Sequence, residues 1–582
     1  NLTPFKGFTW HAKMAGRLSD DKLHDWSGKK VPLYGYHSKE FLRNMDLGGG
    51  FIPGLQVEDD QNLYLNFYTY MEYVFQLKED HNFKLMLGYN QEKNERNVIW
   101  AKRRDYQFIL PELDAGSNEN MENSGYKEEW AIRSGFFRLN YDYKGKYMVE
   151  VNTRLDGTSR IASESRWGWF PSFSLGYRLT EEDFIKDLNL DWLSNLKIRG
   201  SWGQLGNQNI GLYPYQAIVD LTDSYSFDNN TLTQGVAQKK YINRNLKWET
   251  TTITDVGAEI SLFNKLNLTF DWYKKQTTDI LRQAQLSNFV GLEAPYVNDG
   301  EMQNTGIELA VNWNDYIKNG AMEGLQYNLG FYIDRYRNKL THFGADEIKS
   351  FSILREGIPY NSYYMLEAIG IFADQAEIDA APKQFSDNTR PGDIRYRDVD
   401  NNGVIDYNDR VVMNGRFPKF EYSFNAGLSW KGFDLSLMFQ GVAGKYTYVG
   451  AGAGVVPFGA SSGVYNGVPK NYLNGMWTEE NPENATNPRL YYDMGGTRNT
   501  RASSYYLRNA SYLRLKNLMF GYTFPSEWTK KLAVNRLKIF FSGDNLLTFT
   551  PYEGLDPEND KDGSFLAYPQ NRILSLGVNV EF

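Results

Sequence analysis

The segment RDVDNNGVIDYNDR, residues 397–410, places acidic and amide side chains at every second position ahead of a glycine. Calcium takes about six to eight oxygen ligands, and alternate residues of a tight loop can direct their oxygens to one point. In EF-hand order, Gly403 permits the turn and Ile405 packs at the eighth position. The candidate calcium ligands are Asp398, Asp400, Asn402, the carbonyl of Val404, Asp406 and Asp409.

The same spacing also suits a metal-free loop, in which Asx side chains accept hydrogen bonds from nearby backbone N–H groups. The flanks RPGDIRY and RVVMNGRFPKF carry no convincing pair of helices, and Asp replaces Glu at the twelfth position, as in dockerin-type loops. We therefore expect either a structural calcium ion or a metal-free turn, and not a regulatory EF-hand.

The composition excludes several classes of chemistry. The chain has 582 residues, no cysteine and five histidines, which excludes disulfides, thiolate catalysis and zinc–thiolate sites. With 63 Lys and Arg against 71 Asp and Glu, the net charge is −8, which argues against nucleic-acid binding. No nucleophile-elbow, P-loop or metalloprotease motif occurs, so we expect no enzyme and no required cofactor.

Aromatic residues make up 15% of the chain, although the mean hydropathy is −0.56 and glycine occurs 52 times. No apolar run is long enough for a transmembrane helix. This combination is typical of a membrane β-barrel, whose outward face is apolar while its lumen and loops are polar.

Residues 63–77, LYLNFYTYMEYVFQL, alternate between two faces with period two over a length well beyond that of a usual strand. The pattern recurs about sixteen times and predicts an all-β, antiparallel transmembrane barrel over residues 1–582. The predicted strands are 5–17, 62–78, 82–96, 128–143, 146–159, 168–180, 194–204, 250–262, 265–277, 302–315, 322–337, 418–431, 432–443, 510–524, 535–546 and 571–582.

The links between these strands alternate in length. Most links after odd-numbered strands are long, at 18–61, 97–127, 205–249, 278–301, 338–417 and 444–509. Short turns at one end and long loops at the other are typical of bacterial outer-membrane barrels, with the long loops outside the cell. This places the Asp398–Asp409 segment in the extracellular loop 338–417.

The loop 444–509 is rich in glycine and aromatic residues. Its rings offer stacking surface for a substrate or a partner protein, although each could equally serve to pack the loop. The candidate contact residues are Tyr446, Tyr448, Phe458, Tyr465, Tyr472 and Trp477.

The chain ends in the alternating sequence LSLGVNVEF. A terminal Phe on such a last strand resembles the signal that the barrel-insertion machinery reads. The residues on its apolar face are Leu574, Leu576, Val578, Val580 and Phe582.

Eight blocks, in order along residues 154–582, resemble the SusC/RagA family of TonB-dependent outer-membrane transporters of Bacteroidetes. Each block is weak alone, and together they are specific. They are RLDGTSRIASESRWGWFPSFSLGYRL (154–179), NLKIRGSWGQLGNQNIGLYPY (195–215), NRNLKWETTTITDVGAEI (243–260), VNDGEMQNTGIEL (297–309), RPGDIRYRDVDNNGVIDYNDR (390–410), GFDLSLMFQGVAGK (432–445), ASYLRLKNLMFGYTFP (510–525) and NLLTFTPYEGLDPE (545–558).

The resemblance implies a 22-stranded barrel around a plug, of which this chain carries about sixteen strands and neither the plug nor the TonB-contacting segment. It further implies active import across the Gram-negative outer membrane, of an oligosaccharide in preference to a peptide. A SusD-like surface lipoprotein would close over the barrel, and two transporter–lipoprotein pairs would form a dimer.

Two other readings stay open on the residues alone. Sixteen strands would complete a passive porin, although porins lack the blocks above. A soluble carbohydrate-binding or hydrolytic β-protein would also use aromatic and acidic side chains. Such a protein, however, would not be expected to have long loops after odd-numbered strands and short turns after even-numbered ones.

Overall fold

In the computed structural model, sixteen strands follow one another in chain order within a single antiparallel sheet. The structure describes residues 1–27, 31–34, 41–45, 54–106, 110–119, 121–220, 224–228, 231–385, 388–450, 470–491, 497–558, 562 and 568–582. The sheet strands are β1 (Phe8–Ser27), β2 (Gly54–Leu77), β3 (His81–Arg104), β4 (Met121–Tyr143), β5 (Tyr147–Thr158), β6 (Trp167–Arg178), β7 (Leu193–Asn207), β8 (Glu249–Leu262), β9 (Leu266–Thr278), β10 (Glu301–Tyr316), β11 (Gln326–His342), β12 (Phe420–Trp430), β13 (Phe433–Ala443), β14 (Tyr512–Thr523), β15 (Arg536–Phe549) and β16 (Ile573–Glu581).

All sixteen predicted strands are confirmed, and the bounds of β5–β10 and β12–β16 agree to within a few residues. The predicted links 18–61 and 97–127 are wrong in extent, because β1–β4 run on for 20, 24, 24 and 23 residues. Their outer parts carry polar and charged residues on both faces, so the apolar alternation stops before the strand does. Cross-strand ion pairs stabilise this extension; Arg96 Nη2 lies 2.6 Å from Asp60 Oδ2.

The strands keep the two faces of the sheet chemically distinct, as β11 illustrates. Leu329 and Phe331 are 40% and 39% exposed on one face, whereas the opposite face carries Tyr332, Asp334 and Tyr336. Exposed apolar side chains on one face and polar groups on the other are what a lipid-facing strand around a polar interior requires.

The connections carry small elements of their own. Their strands are Val31–Tyr34, Phe41–Met45, Val219–Asp220, Ser224–Asp228, Thr231–Gln234, Ala237–Gln238, Leu281–Gln283, Tyr296–Asn298, Glu347–Ile348, Ser352–Leu354, Ser362–Leu366, Ala368–Ile371, Lys383–Gln384, Ile394–Tyr396, Val404–Ile405, Arg410–Met413, Tyr446–Tyr448 and Leu507–Asn509. Their helical turns are Leu113–Ala115, Leu179–Glu181, Asp183–Lys186, Asn288–Val290, Gln375–Ala380, Tyr407–Asp409, Lys470–Gly475, Thr497–Thr500, Ser504–Tyr506, Ser526–Thr529 and Lys530–Leu532. None of the helices in the described ranges has the length and apolar character needed to cross a membrane.

The chain divides into two compact units. The first comprises Asn1–Leu175, Gly203–Thr251 and Asp279–Asn298, and the second comprises Gly176–Trp202, Thr252–Thr278 and Asp299–Phe582. The first unit has a small core in its connections, made of Ile161, Phe170, Ile210, Leu246 and Trp248. The second has three such cores, all centred on the long connections that follow β11 and β13.

The last strand, β16, presents the residues of the predicted insertion signal. Its apolar side chains are exposed, as is the terminal ring of Phe582. The role of Leu574, Leu576, Val578, Val580 and Phe582 in barrel insertion stays a prediction.

The facial segregation predicts that position within a strand decides the cost of a charge. Phe424→Arg would place a guanidinium at mid-strand on the exposed apolar face of β12, and we expect a loss of about 2–4 kcal/mol. Asn425→Arg, one residue along on the polar face, should cost less than about 1 kcal/mol. Urea titration of the protein reconstituted in lipid vesicles measures both. Equal losses would contradict the assignment of the two faces.

Candidate functional site

The long connections 343–419 and 444–511 of the second unit fold against each other. The Leu366 N–H donates to Ala502 O (3.1 Å) and the Ile394 N–H donates to Asn499 Oδ1 (2.9 Å). Between them lies a buried cluster, called here the loop core. It consists of Tyr363, Met365, Tyr448, Val449, Tyr472, Tyr506, Ala510 and Tyr552.

The loop core contains two of the aromatic residues proposed as contacts. Tyr448 is 8% exposed and stacks on Phe351 with ring centroids 4.5 Å apart. Tyr472 is 4% exposed and donates its hydroxyl to Pro488 O at 2.7 Å. Both geometries favour the packing role that the sequence left open.

Two further aromatic candidates have different surroundings. Trp477 is 9% exposed and donates Nε1–H to Ala373 O at 3.0 Å, so it links the two connections. Tyr446 is 39% exposed, and its ring lines a cavity. Phe458 and Tyr465 lie outside the described residues. A substrate-contact role for these side chains stays a prediction, and Tyr446 has the surroundings best suited to it.

That cavity, called here the loop-base cavity, has a volume of about 570 Å³ and lies at the long-connection ends of β11–β14. Tyrosine rings, amides and charged groups of both signs share its wall. The lining residues are Tyr336, Tyr363, Arg416, Phe417, Pro418, Glu421, Gln440, Val442, Lys445, Tyr446, Thr447, Tyr512, Glu558, Asp562 and Gln570.

An ion pair between Arg416 and Asp562 organises one side of the loop-base cavity. Arg416 Nη2 lies 2.7 Å from Asp562 Oδ2, and Asp562 Oδ1 accepts from the Tyr363 hydroxyl at 3.0 Å. The guanidinium also lies over the Tyr363 ring, 5.2 Å from its centroid. Burial, followed by the Asp562 charge, raises the pKa of Tyr363, so its hydroxyl stays a hydrogen-bond donor at neutral pH. Arg416 Nη1 is buried and has no hydrogen-bond partner among the described residues.

A buried network around Arg514 holds the connection 550–572 against β14. Arg514 Nη2 donates to Asp556 Oδ1 (2.8 Å), and both side chains are 5% exposed. The backbone N–H groups of Glu558 and Gln570 donate to the same carboxylate at 2.9 and 2.8 Å. Burial opposes ionisation of Asp556, but these hydrogen bonds prevail and lower its pKa.

The Asp398–Asp409 segment forms the tight loop that the sequence predicts. Carboxylate oxygens of Asp398, Asp400 and Asp409 lie within 4.8 Å of one another. The turn places Gly403 at φ +83°, a conformation that favours glycine. Ile405 is fully buried in a cluster with Leu366, Ile394 and Tyr396. The adjoining elements are the strands Ile394–Tyr396 and Arg410–Met413, so no helix pair flanks the loop.

Backbone donors occupy much of this loop's acceptor capacity. Asp409 Oδ1 accepts from Val399 N–H and its Oδ2 from Asp406 N–H, each at 2.7 Å. Gly403 N–H donates to Asp398 Oδ2 at 2.9 Å. Asp398 Oδ1, in contrast, is buried without a hydrogen-bond partner in the described part of the chain. The loop is therefore a backbone-stabilised turn that leaves one buried carboxylate oxygen for a cation. In this loop Asn402 accepts from the Val404 N–H (2.8 Å), and Asp406 caps the following turn.

Long strands with an exposed apolar face, joined alternately by short turns and long folded connections, define an outer-membrane β-barrel protein. The comparisons with known proteins identify the family. The model of the family described as "TonB dependent receptor-like, beta-barrel" matches residues 7–363. The chain belongs to this family, and its location is the outer membrane.

Two curated relatives and one solved structure give the extent of the similarity. TonB-dependent receptor P3 of Formosa agariphila is 30% identical over 535 residues, covering 86% of this chain and 51% of the relative. TonB-dependent receptor SusC of Bacteroides thetaiotaomicron is 25% identical over 591 residues, covering 97% and 57%. The structure titled RagAB peptide transporter superimposes with a TM-score of 0.81 at 23% identity, covering 100% of this chain and 60% of that one. The chain spans about half the length of these curated relatives.

The Arg514–Asp556 network predicts a local stability that depends on pH. Because the pKa of Asp556 is lowered on folding, its contribution is complete above the ordinary value of 3.8 and lost as the pH falls through the lowered value. Asp556→Asn should weaken the network by about 2–3 kcal/mol at neutral pH. Hydrogen exchange at the Glu558 and Gln570 amides should accelerate, and the protection factor of these amides should lose its dependence on pH below about 4.

The control for this prediction is Glu553→Gln, which alters the pair between Glu553, whose side chain is 61% exposed, and Arg508 at 3.6 Å. Exposed pairs contribute about 0–1 kcal/mol, so exchange at the same amides should stay as in the parent protein. Unchanged exchange in Asp556→Asn would show that the connection is held by other contacts.

Proposed function

We propose that this chain forms the wall and the extracellular loops of a TonB-dependent transporter that imports a nutrient across the outer membrane. An oligosaccharide is favoured over a peptide as the cargo. The observation that carries the proposal is the loop-base cavity, which combines tyrosine rings with hydrogen-bonding groups at the loop end of a TonB-receptor barrel.

The cavity suits a sugar chain for two physical reasons. The ring of Tyr446, which is 39% exposed, offers flat apolar surface on which a pyranose ring can stack. Around it, Gln440, Gln570 and Arg416 supply the polar groups that orient a bound ligand. No covalent step is required of the barrel, and the proposal assigns it none.

The assembly we propose has further members. A SusD-like lipoprotein would cover the long connections, and the TonB complex would act through a plug region. Two transporter–lipoprotein pairs would associate. The support is the family membership, the similarity to SusC, and the superposition on RagAB, whose title names a peptide transporter.

Uptake by cells lacking the gene and complemented with variants of the full-length protein tests the transport proposal. Tyr446→Ala should raise the half-saturation concentration for the cargo about fivefold, since an aromatic contact at a binding centre is worth over about 1 kcal/mol. Tyr241→Ala, which removes an exposed ring outside the loop-base cavity, is the matched control. Deletion of TonB should abolish uptake by all forms.

Supplying a panel of oligosaccharides and short peptides in the same assay separates the cargo classes. Growth on a peptide alone would replace the oligosaccharide assignment while leaving the import proposal in place. Uptake that persists without TonB would favour a passive channel and overturn active import.

We also propose a structural calcium ion in the Asp398–Asp409 segment. Asp398, Asp400 and Asp409 would hold it, with Asn402, Asp406 and the Val404 carbonyl as the further predicted ligands. The buried, unpartnered Asp398 Oδ1 is the feature of the loop that fits a cation. The ion would brace the connection 343–419 and would supply no chemistry to transport.

Thermal unfolding with and without calcium tests this assignment. Asp400 is exposed, and its hydrogen bonds within the described ranges are local ones with Asn402, so Asp400→Asn should remove the calcium-induced rise in Tm while leaving the calcium-free Tm unchanged. Asp379→Asn, an exposed change on the neighbouring helix Gln375–Ala380, should keep the calcium response. A parent protein whose Tm is the same in calcium and in chelator would establish the metal-free turn.

A further inference from the structure

The outward apolar face of β9–β12 ends at the same register in neighbouring strands. Trp272 of β9 lies opposite Ile307 of β10, which lies opposite Arg335 of β11. Arg335 lies over the ring of Phe420, 5.4 Å from its centroid. This row therefore marks the upper edge of the apolar band, on the side of the long connections.

Cations gather directly above that edge. One register step further, Lys274 and Arg337 lie opposite Thr305 from either side, and Lys339 lies opposite Gln303. Together with Lys419, which directly precedes β12, these side chains and Arg335 form what we call the outer basic cluster. Its members are Lys274, Arg335, Arg337, Lys339 and Lys419.

The outer basic cluster is not neutralised by the protein. Within the described residues, none of its five side chains forms an ion pair or a hydrogen bond with another residue. Three of the cations follow one another on the same face of β11 over about 13 Å of strand. The positive charges in this row repel one another, and an anionic partner would reduce that repulsion.

A cavity adjoins the cluster at the gap where β11 continues beyond its pairing with β12. It has a volume of about 330 Å³, and its wall includes Arg335, Arg337 and Lys419. The apolar part of the wall consists of Pro359, Met413, Phe417 and Pro418. A ligand here meets cations and apolar surface together, which suits a ligand that is both anionic and amphiphilic.

We propose that the outer basic cluster binds the phosphate group of a phosphorylated glycolipid in the outer leaflet of the outer membrane. The guanidinium groups of Arg335 and Arg337 suit bidentate recognition of phosphate. The acyl chains would lie on the apolar face that ends at Trp272, Ile307 and Phe420. The cations of the site lie on the outward face, and the cavity beside them shares Phe417 and Pro418 with the wall of the loop-base cavity.

Binding of a phosphorylated lipid A to the delipidated full-length protein in detergent, followed by native mass spectrometry, tests the site. Arg335→Gln combined with Arg337→Gln should weaken binding at least about tenfold, since each cation near a lipid headgroup contributes about 1 kcal/mol. Both side chains are exposed, and an unchanged Tm verifies that the variant is folded. Raising the salt concentration should weaken binding by the parent protein more than by the variant.

The matched control is Lys530→Gln combined with Lys531→Gln, which removes two exposed cations from the connection between β14 and β15, at the other ends of the strands. This variant should bind the lipid as the parent does. Equal binding by all three proteins, or equal loss in both variants, would overturn the proposal. Dephosphorylated lipid A that binds as tightly would exclude phosphate recognition, and inorganic phosphate that competes at equal concentration would exclude a lipid as the source.

Discussion

Every backbone N–H and C=O that crosses a membrane must find a partner within the protein, since hydrocarbon offers none. In this chain hydrogen bonds between neighbouring strands of the sixteen-stranded sheet serve that requirement for the strands that lie between β1 and β16, and the period of two then follows. Each strand presents one face to lipid and the other to the interior. Apolar residues therefore fit the positions of one parity along the strand, and polar residues fit the positions of the other. The exposed Leu329 and Phe331 and the inward Asp334 and Tyr336 are consequences of this one constraint.

The long connections must also pair their buried polar groups within the protein, but they do so outside the sheet. They lie beyond the sheet, so they satisfy their polar groups by folding into each other around the loop core. Asp393 is 1% exposed and accepts from the Tyr491 hydroxyl at 2.6 Å and from Asn499 Nδ2 at 3.0 Å. A buried carboxylate with that many donors fixes one arrangement of the two connections, because any other arrangement would leave it unpaired.

The difference between the regular sheet and the folded connections explains which features could be predicted from the sequence and which could not. The strands follow from alternation, a local signal, and all sixteen were found. The extension of β1–β4 was not predicted, because polar residues such as Asp60 and Arg96 continue these strands without an apolar alternation. The burial of Tyr448, Tyr472 and Trp477 depends on contacts between residues far apart in sequence, such as Trp477 with Ala373, and no local pattern reports such contacts. For the same reason, Arg416 with Asp562 and Arg514 with Asp556 could not be paired from the sequence.

The outward cations could be recognised from the sequence. Arg335, Arg337 and Lys339 lie at positions of the same parity in β11 as Leu329 and Phe331, but they are charged where those residues are apolar. On the inner face, Asp271, Glu308, Asp334 and Glu421 lie opposite one another in successive strands. Like charges directly opposite are unfavourable in a sheet, so this register is not one that pair energies alone would select. A slip by one residue would nevertheless bring Asp334 towards lipid and Arg335 into the interior. The same alternation along the strands therefore positions the apolar band, the inner acids and the outer cations. A change of register would move all three together.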